Sequence, residues 1–251
     1  MKDRGNPFVA EGMRVYLSER GILRTYLFIA GALGLAVLAM WPRSTIEAAL
    51  RGGGAADTFT VVAACFLLFL LYLGARYGAE DYSADSTVQL REYVTLTPVP
   101  LFSVIGGRLM FAVLHTFLLL LIGAPFLAAA MAVGGAGFPQ ALAALAVIGA
   151  ASLAARMCGL LVLTLVGGRR PLRDLLLIPV LAASLVVTFF LAPRTNPFHA
   201  IAFLLKDADG PSACLASAGV DLGAALALAA CSLGVLSMVR GRAHRRGGSG
   251  E

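Results

Sequence analysis

Six runs of apolar residues, each about as long as a hydrocarbon layer is thick, constrain this chain more than any other feature. Inside a bilayer no water can pair with the main chain, so a crossing segment must satisfy its own backbone as a helix of about 20 residues. The runs are 23–41, 58–75, 108–133, 140–166, 172–192 and 215–239, bounded by charges, glycines or prolines. Only 14% of the 251 residues are charged, against about 25% in soluble domains, so a water-soluble globule is excluded. The expected fold is an all-α membrane domain of six transmembrane helices occupying residues 1–251. The first run follows Lys2, Arg4, Arg14 and Arg20, but it is too long for a signal peptide and lacks a small-residue cleavage site.

Basic residues set the expected orientation, because cytoplasmic loops retain excess Lys and Arg. Of twenty, fifteen lie on one side: Lys2, Arg4, Arg14, Arg20, Arg24, Arg76, Arg91, Arg108, Arg169, Arg170, Arg173, Arg240, Arg242, Arg245 and Arg246. Arg43, Arg51, Arg194 and Lys206 fall on the other, and Arg156 falls within a run. Both termini are therefore expected in the cytoplasm, with the chain in the cell (plasma or inner) membrane. The basic tail at 240–251 reads as a topology anchor beside anionic lipid rather than a nucleic-acid patch.

The connections carry local signals. Val9, Met13, Tyr16 and Leu17 share a helical face opposite Glu11, Arg14, Ser18 and Arg20. Residues 8–20 thus fit an interfacial amphipathic helix, with a solvated terminus as the alternative. The inner loop at 77–107 holds Glu80, Asp81, Asp85, Arg91 and Glu92. Ser86-Thr87-Val88-Gln89 fits a capping box, from which a helix would run through Leu90 and Tyr93 and stop near Leu96-Thr97-Pro98, since proline drives Thr97 out of the helical region. A capped, charged helix between two spans is a surface for a soluble partner; the alternative is a spacer. The outer loop 134–139 is short enough to demand a tight antiparallel hairpin, and Asn196-Pro197-Phe198 opens an apolar run to Leu205 that is too short to cross and fits a short interfacial or re-entrant helix on the external side, between spans five and six.

Signatures of chemistry are sparse. A phosphate-binding Walker loop requires Lys after Gly, but the only lysines are Lys2 and Lys206, and neither follows glycine. No Gly-x-Ser-x-Gly or His-Glu-x-x-His sequence occurs, no paired intramembrane carboxylates are evident, and His115, His199 and His244 are scattered. Cys65, Cys158 and Cys231 fall in spans and Cys214 near the outer surface, with no metal-binding spacing. No catalytic, cofactor-binding or metal-binding residue is therefore assigned. Arg156 sits ten residues before Val166, about 15 Å along a helix and too deep to snorkel easily. It either attracts anions in a pathway or pairs with carbonyls or a carboxylate such as Asp174 or Asp221. His115 reads as a hydrogen-bonded helix contact rather than a proton relay. Pro125 and Pro179 fall inside spans, and Gly74/Gly78 and Ala150/Ala154 have the spacing that lets helices approach closely.

The inner-loop run Leu96-Thr97-Pro98-Val99-Pro100, preceded by Arg91-Glu92-Tyr93 and followed by Ile105-Gly106-Gly107-Arg108-Leu109, resembles the membrane subunits of ABC type-2 exporters. The likeness extends to Gly159-Leu160-Leu161 ending at Arg169-Arg170, to Asn196-Pro197-Phe198 and to the six-span plan. Ser86-Thr87 stands where the family often has Gly-Thr, and Arg108 replaces the usual Lys. The resemblance implies that residues 9–20 form a connecting helix. It implies that 86–96 form a coupling helix, with Ser86, Gln89, Arg91, Glu92, Tyr93, Leu96, Thr97 and Pro98 at the contact with a nucleotide-binding subunit. ATP and Mg would bind that partner, and a second permease subunit, identical or related, would complete the pathway. The competing class is a membrane-embedded enzyme, a non-ABC carrier or an accessory subunit working without an ATPase.

Overall fold

The computed structural model describes residues 9–10, 13, 20–41, 54–80, 90–167, 170–206 and 209–247. Most of these are helical, with no strand among them. The helices are α1 (Arg20–Met40), α2 (Gly54–Ala79), α3 (Leu90–Leu96), α4 (Leu101–Gly134), α5 (Phe138–Val166), α6 (Arg170–Leu191), α7 (Pro197–Phe203) and α8 (Gly210–Gly247). Six are long and apolar enough to cross a membrane: α1, α2, α4, α5, α6 and α8.

Contacts at the helix ends establish the alternation of the six. Thr58 at the start of α2 donates to the Met40 carbonyl at the end of α1 at 3.2 Å. Arg108 near the start of α4 donates to the Glu80 carbonyl just past α2 at 3.4 Å, and Arg91 of α3 reaches the last turn of α5. Ser217 of α8 donates to Thr195 beside α7 at 3.2 Å, on the opposite face. The α3 face and the α7 face are thus opposite ends of one up-and-down bundle.

The turn between α4 and α5 is as tight as its sequence requires. Gly135 takes φ 67°, the left-handed conformation that ends a helix cheaply only when no Cβ is present. Two residues later Gly137 is extended and starts α5, with Pro139 in its first turn, where the missing N–H is no loss.

Helices α2 and α5 are the most enclosed of the six, whereas α6 buries few of its residues. The reason is visible in the glycines. A Cβ on Gly78 would collide with the Arg156 carbonyl, and one on Gly159 with the Ala75 carbonyl; Gly74 lies against the Ser152 carbonyl in the same way. Ser152 seals the crossing with a bond from Oγ to the Leu70 carbonyl at 3.2 Å. Small residues in a membrane let two backbones touch, and dispersion over that contact replaces the hydrophobic drive that lipid cannot supply. Around this axis one apolar cluster gathers Ile29 and Leu33 of α1, Phe59, Phe66 and Leu70 of α2, Leu119 and Leu127 of α4, and Val147 and Ile148 of α5. A second, on the α3 face, joins Leu90 and Val94 to Val104 and Ile105 of α4, Met157, Leu160 and Leu163 of α5, and Leu236 of α8.

Several expectations from sequence are corrected. Helix α4 begins at Leu101, seven residues before Arg108, because Pro100 is the extended N-cap and the charge of Arg108 is buried inside the bundle instead of marking its edge. Helix α8 begins at Gly210 and runs to Gly247, so residues 240–247 of the expected basic tail continue the helix. Residues 77–79 of the expected loop belong to α2. Cys214, at the start of α8 beside α7, is wholly buried, and its thiol meets the Ala200 carbonyl at 3.3 Å. Of residues 8–20, Val9, Ala10 and Met13 are helical, Met13 packs on the main cluster, Arg20 starts α1, and the others lie outside the described residues.

The glycine crossing makes a specific demand. Gly78→Ala must push α2 and α5 apart, and it should cost about 2–3 kcal/mol, whereas Gly31→Ala, which meets open space, should be neutral or mildly stabilising. Thermal unfolding of the two variants in the same detergent distinguishes them; equal melting temperatures would refute the contact.

Candidate functional sites at the α3 face and within the bundle

Helix α3 has seven residues, too few to be stable by itself, so its position depends on what holds it. One side is apolar: Leu90 and Val94 are buried and Tyr93 packs beside them. Two arginines add directional bonds. Arg91 donates from Nε to the Thr164 carbonyl at 2.9 Å and from Nη2 to the Leu165 carbonyl at 3.0 Å, the orphan acceptors at the end of α5. Arg240, from α8, donates from Nε to the Val94 carbonyl at 3.0 Å and from Nη2 to the carbonyls of Thr97 at 2.7 Å and Val99 at 2.8 Å. Both guanidinium groups thus lie at helix C-termini, where the peptide dipoles concentrate negative potential and free carbonyls need donors.

Thr97 closes α3: its N–H and hydroxyl both donate to the Tyr93 carbonyl, at 3.0 and 2.6 Å. The stop expected at Leu96-Thr97-Pro98 is therefore where the helix ends. The eight residues expected at a partner contact divide by direction. Glu92, Leu96 and Pro98 are exposed, with Leu96 at 77%; Arg91, Tyr93 and Thr97 are engaged with the bundle or with the turn itself. Ser86 and Gln89 of the expected capping box lie outside the described residues.

The second constellation lies among α1, α2, α4 and α5. Arg156 is 2% exposed, and its Nη1 donates to His115 Nδ1 at 2.8 Å. A guanidinium can only donate, so Nδ1 must accept and the imidazole carries its proton on Nε2. That nitrogen then donates to the Tyr26 hydroxyl at 2.8 Å. Aromatic faces surround the cation: Phe111 lies 5.1 Å and Tyr77 5.9 Å from the guanidinium carbon, distances at which ring quadrupoles attract it. Phe111 stacks on His115 at 5.7 Å and 11°, and the Tyr77 ring meets it edge-on at 5.1 Å.

This arrangement corrects the partners expected for Arg156. The nearest bonding group is a histidine, not a carbonyl or a carboxylate. Asp174 instead lies exposed beside Arg173, 3.5 Å away. Asp221 lies eleven residues into α8, deeper than its sequence position within the run had implied, and its Oδ2 is buried without a hydrogen-bond partner among the described residues. His115 is a hydrogen-bonded helix contact, as its sequence reading held. Sequence reasoning did not find Tyr26, Tyr77 and Phe111, which come from three different helices and share no sequence pattern with Arg156.

On the α7 face, Asn196 caps α7 by accepting from the N–H groups of Phe198 and His199, while its amide donates to the Leu185 carbonyl and the Thr188 hydroxyl. A shallow apolar cavity of about 280 Å³ opens there, between Leu185, Val186, Phe189, Phe190, Asn196 and Phe198. Comparison of the chain with protein-family models, curated proteins and solved structures found no match.

The Arg156–His115 pair should respond asymmetrically to mutation. His115→Leu leaves a buried cation with one bond fewer and should destabilise by about 3–5 kcal/mol, whereas Arg156→Leu leaves a neutral imidazole and should cost about 1–3 kcal/mol. The double variant should recover part of the larger loss. Unfolding midpoints of all three in one detergent measure this, and strict additivity would show that the pair does not act as a unit.

Proposed function

We propose that this chain is the membrane subunit of an ATP-driven exporter, lying in the cell (plasma or inner) membrane with both chain ends on the cytoplasmic side. The observation that carries the reading is α3. It is a short helix held on the arginine-rich face, with Glu92, Leu96 and Pro98 exposed. The Leu-Thr-Pro turn and the flanking motifs that resemble ABC type-2 permeases coincide with that helix and its end. Because the sequence has no Walker loop, ATP and Mg would be bound and hydrolysed by a separate nucleotide-binding subunit resting on α3.

Packing favours a pathway between two subunits over one through this chain. Helices α2 and α5 touch at the backbone, and the Arg156 guanidinium is enclosed by Phe111, Tyr77 and His115, which supports a structural role over a pathway lining. Helix α6 meanwhile presents Leu175, Ile178, Val187, Phe190 and Leu191 outward. A second permease subunit, identical or related, would complete the pathway, with membrane lipid covering the rest. The face around α3 serves protein and lipid, with no nucleic acid required.

The test is affinity purification of the tagged full chain from its native membranes in mild detergent, followed by mass spectrometry and an ATPase assay. A Walker-type ATPase should co-purify in stoichiometric amount, and Leu96→Asp should lower its recovery at least tenfold while the permease stays monodisperse. If the wild-type chain retains no ATPase in either detergent or nanodiscs, the exporter reading fails.

A further inference from the structure

The bonds that hold α3 are unevenly distributed among the six crossing helices. Arg91 ties it to the last turn of α5, and Arg240 ties α8 to its C-terminus and to the turn that follows. The apolar residues beneath it come from α4, α5 and α8, while α1 and α6 contribute none to that cluster among the described residues. Each arginine uses a planar fork, so two or three carbonyls are gripped in one orientation; a lysine ammonium on a flexible stem cannot do this. A seven-residue helix held this way has little freedom to tilt without carrying its anchors along.

We propose that Arg91 and Arg240 form a two-point clamp that passes a load applied to the outer side of α3 directly to the end of α5 and to the Arg240 turn of α8. This rests on the reading of α3 as the docking helix and adds to it a route. Pushing on Glu92 and Leu96 moves the Thr164–Leu165 end of α5 through Arg91 and the Arg240 turn of α8 through three carbonyls. Helix α5 then carries the displacement into the glycine crossing with α2, where main chain meets main chain and cannot absorb it by rotamer changes. Arg91 and Arg240 are positioning residues: they touch neither nucleotide nor cargo.

The experiment uses the full chain with its co-purified ATPase subunit in nanodiscs, with the four native cysteines replaced by alanine. Spin labels are placed at Leu165→Cys and Met238→Cys, exposed positions at the end of α5 and beside Arg240 in α8. Trapping with ATP and vanadate should shift the label-to-label distance in the otherwise unsubstituted complex. In Arg91→Gln/Arg240→Gln the shift should fall at least fivefold, while ATPase stoichiometry stays constant and hydrolysis stays within twofold of the parent. Arg240→Lys, which keeps the charge but not the fork, should restore no more than about half of the shift. An unchanged shift in the double variant overturns the clamp, and so does loss of ATPase binding, which would mean that the arginines merely hold the docking surface together. If the double variant does not fold, Arg240→Lys alone decides: a shift reduced at least twofold supports the clamp, and a full shift overturns it. Absence of ATPase from the wild-type complex is a separate result, which counts against the exporter reading itself.

Discussion

Hydrocarbon surrounds a membrane helix with a medium as apolar as its own leucines, so burial alone gives two helices little reason to associate. The crossing of α2 and α5 supplies the missing reason. Gly74, Gly78 and Gly159 bring main chain against main chain, and a serine hydroxyl bonds across the seam. Much of the rest follows from that contact. It sets Tyr77 and Arg156 at one depth, it provides the wall on which α4 and α1 pack, and it makes α5 the most enclosed helix of the six. Lighter packing elsewhere leaves α6 almost entirely exposed.

A second constraint concerns helix ends. Every helix terminus leaves carbonyls without intrahelical partners, and close to a membrane these need donors. On the α3 face three arginines meet that need across helix boundaries: Arg91 for α5, Arg108 for α2, and Arg240 for α3. Counted by charge alone, these residues carry only an expectation of which side faces the cytoplasm. Their geometry adds that arginines of this face also join helix ends. An arginine suits the task because its fork can reach two adjacent carbonyls at once.

The buried Arg156 belongs to the same economy of donors. It has no carboxylate within ion-pair distance among the described residues, and its charge is eased by a histidine nitrogen and two aromatic faces. Removing a group from such a network costs more than the average hydrogen bond, since the remaining members have no water to turn to. This accounts for how a cation can lie so far from either end of α5.

The number, approximate extent and alternation of the crossing helices were legible in the sequence, because the thickness of hydrocarbon and the need for internal hydrogen bonds translate directly into runs of apolar residues. So were the stop of α3 at Thr97, the hairpin after Gly134 and the close-packing role of Gly74 and Gly78: each depends on a turn residue or a spacing within one segment. The ends of α4 and α8 were misjudged where a charge was read as a boundary, although Arg108 and Arg240 remain helical by spending their charge on a neighbour's carbonyls. The company of Arg156 was decided by tertiary structure alone. Tyr77, Phe111 and His115 meet it from α2 and α4, with Tyr26 of α1 bonded to His115, and no local pattern records at what depth separate helices will bring their side chains together. The same holds for Arg91 and Arg240, whose partners lie more than seventy residues away in the chain. Local sequence specifies the length and ends of a helix, whereas contacts between helices depend on the register in which whole surfaces pack, which only the folded bundle determines.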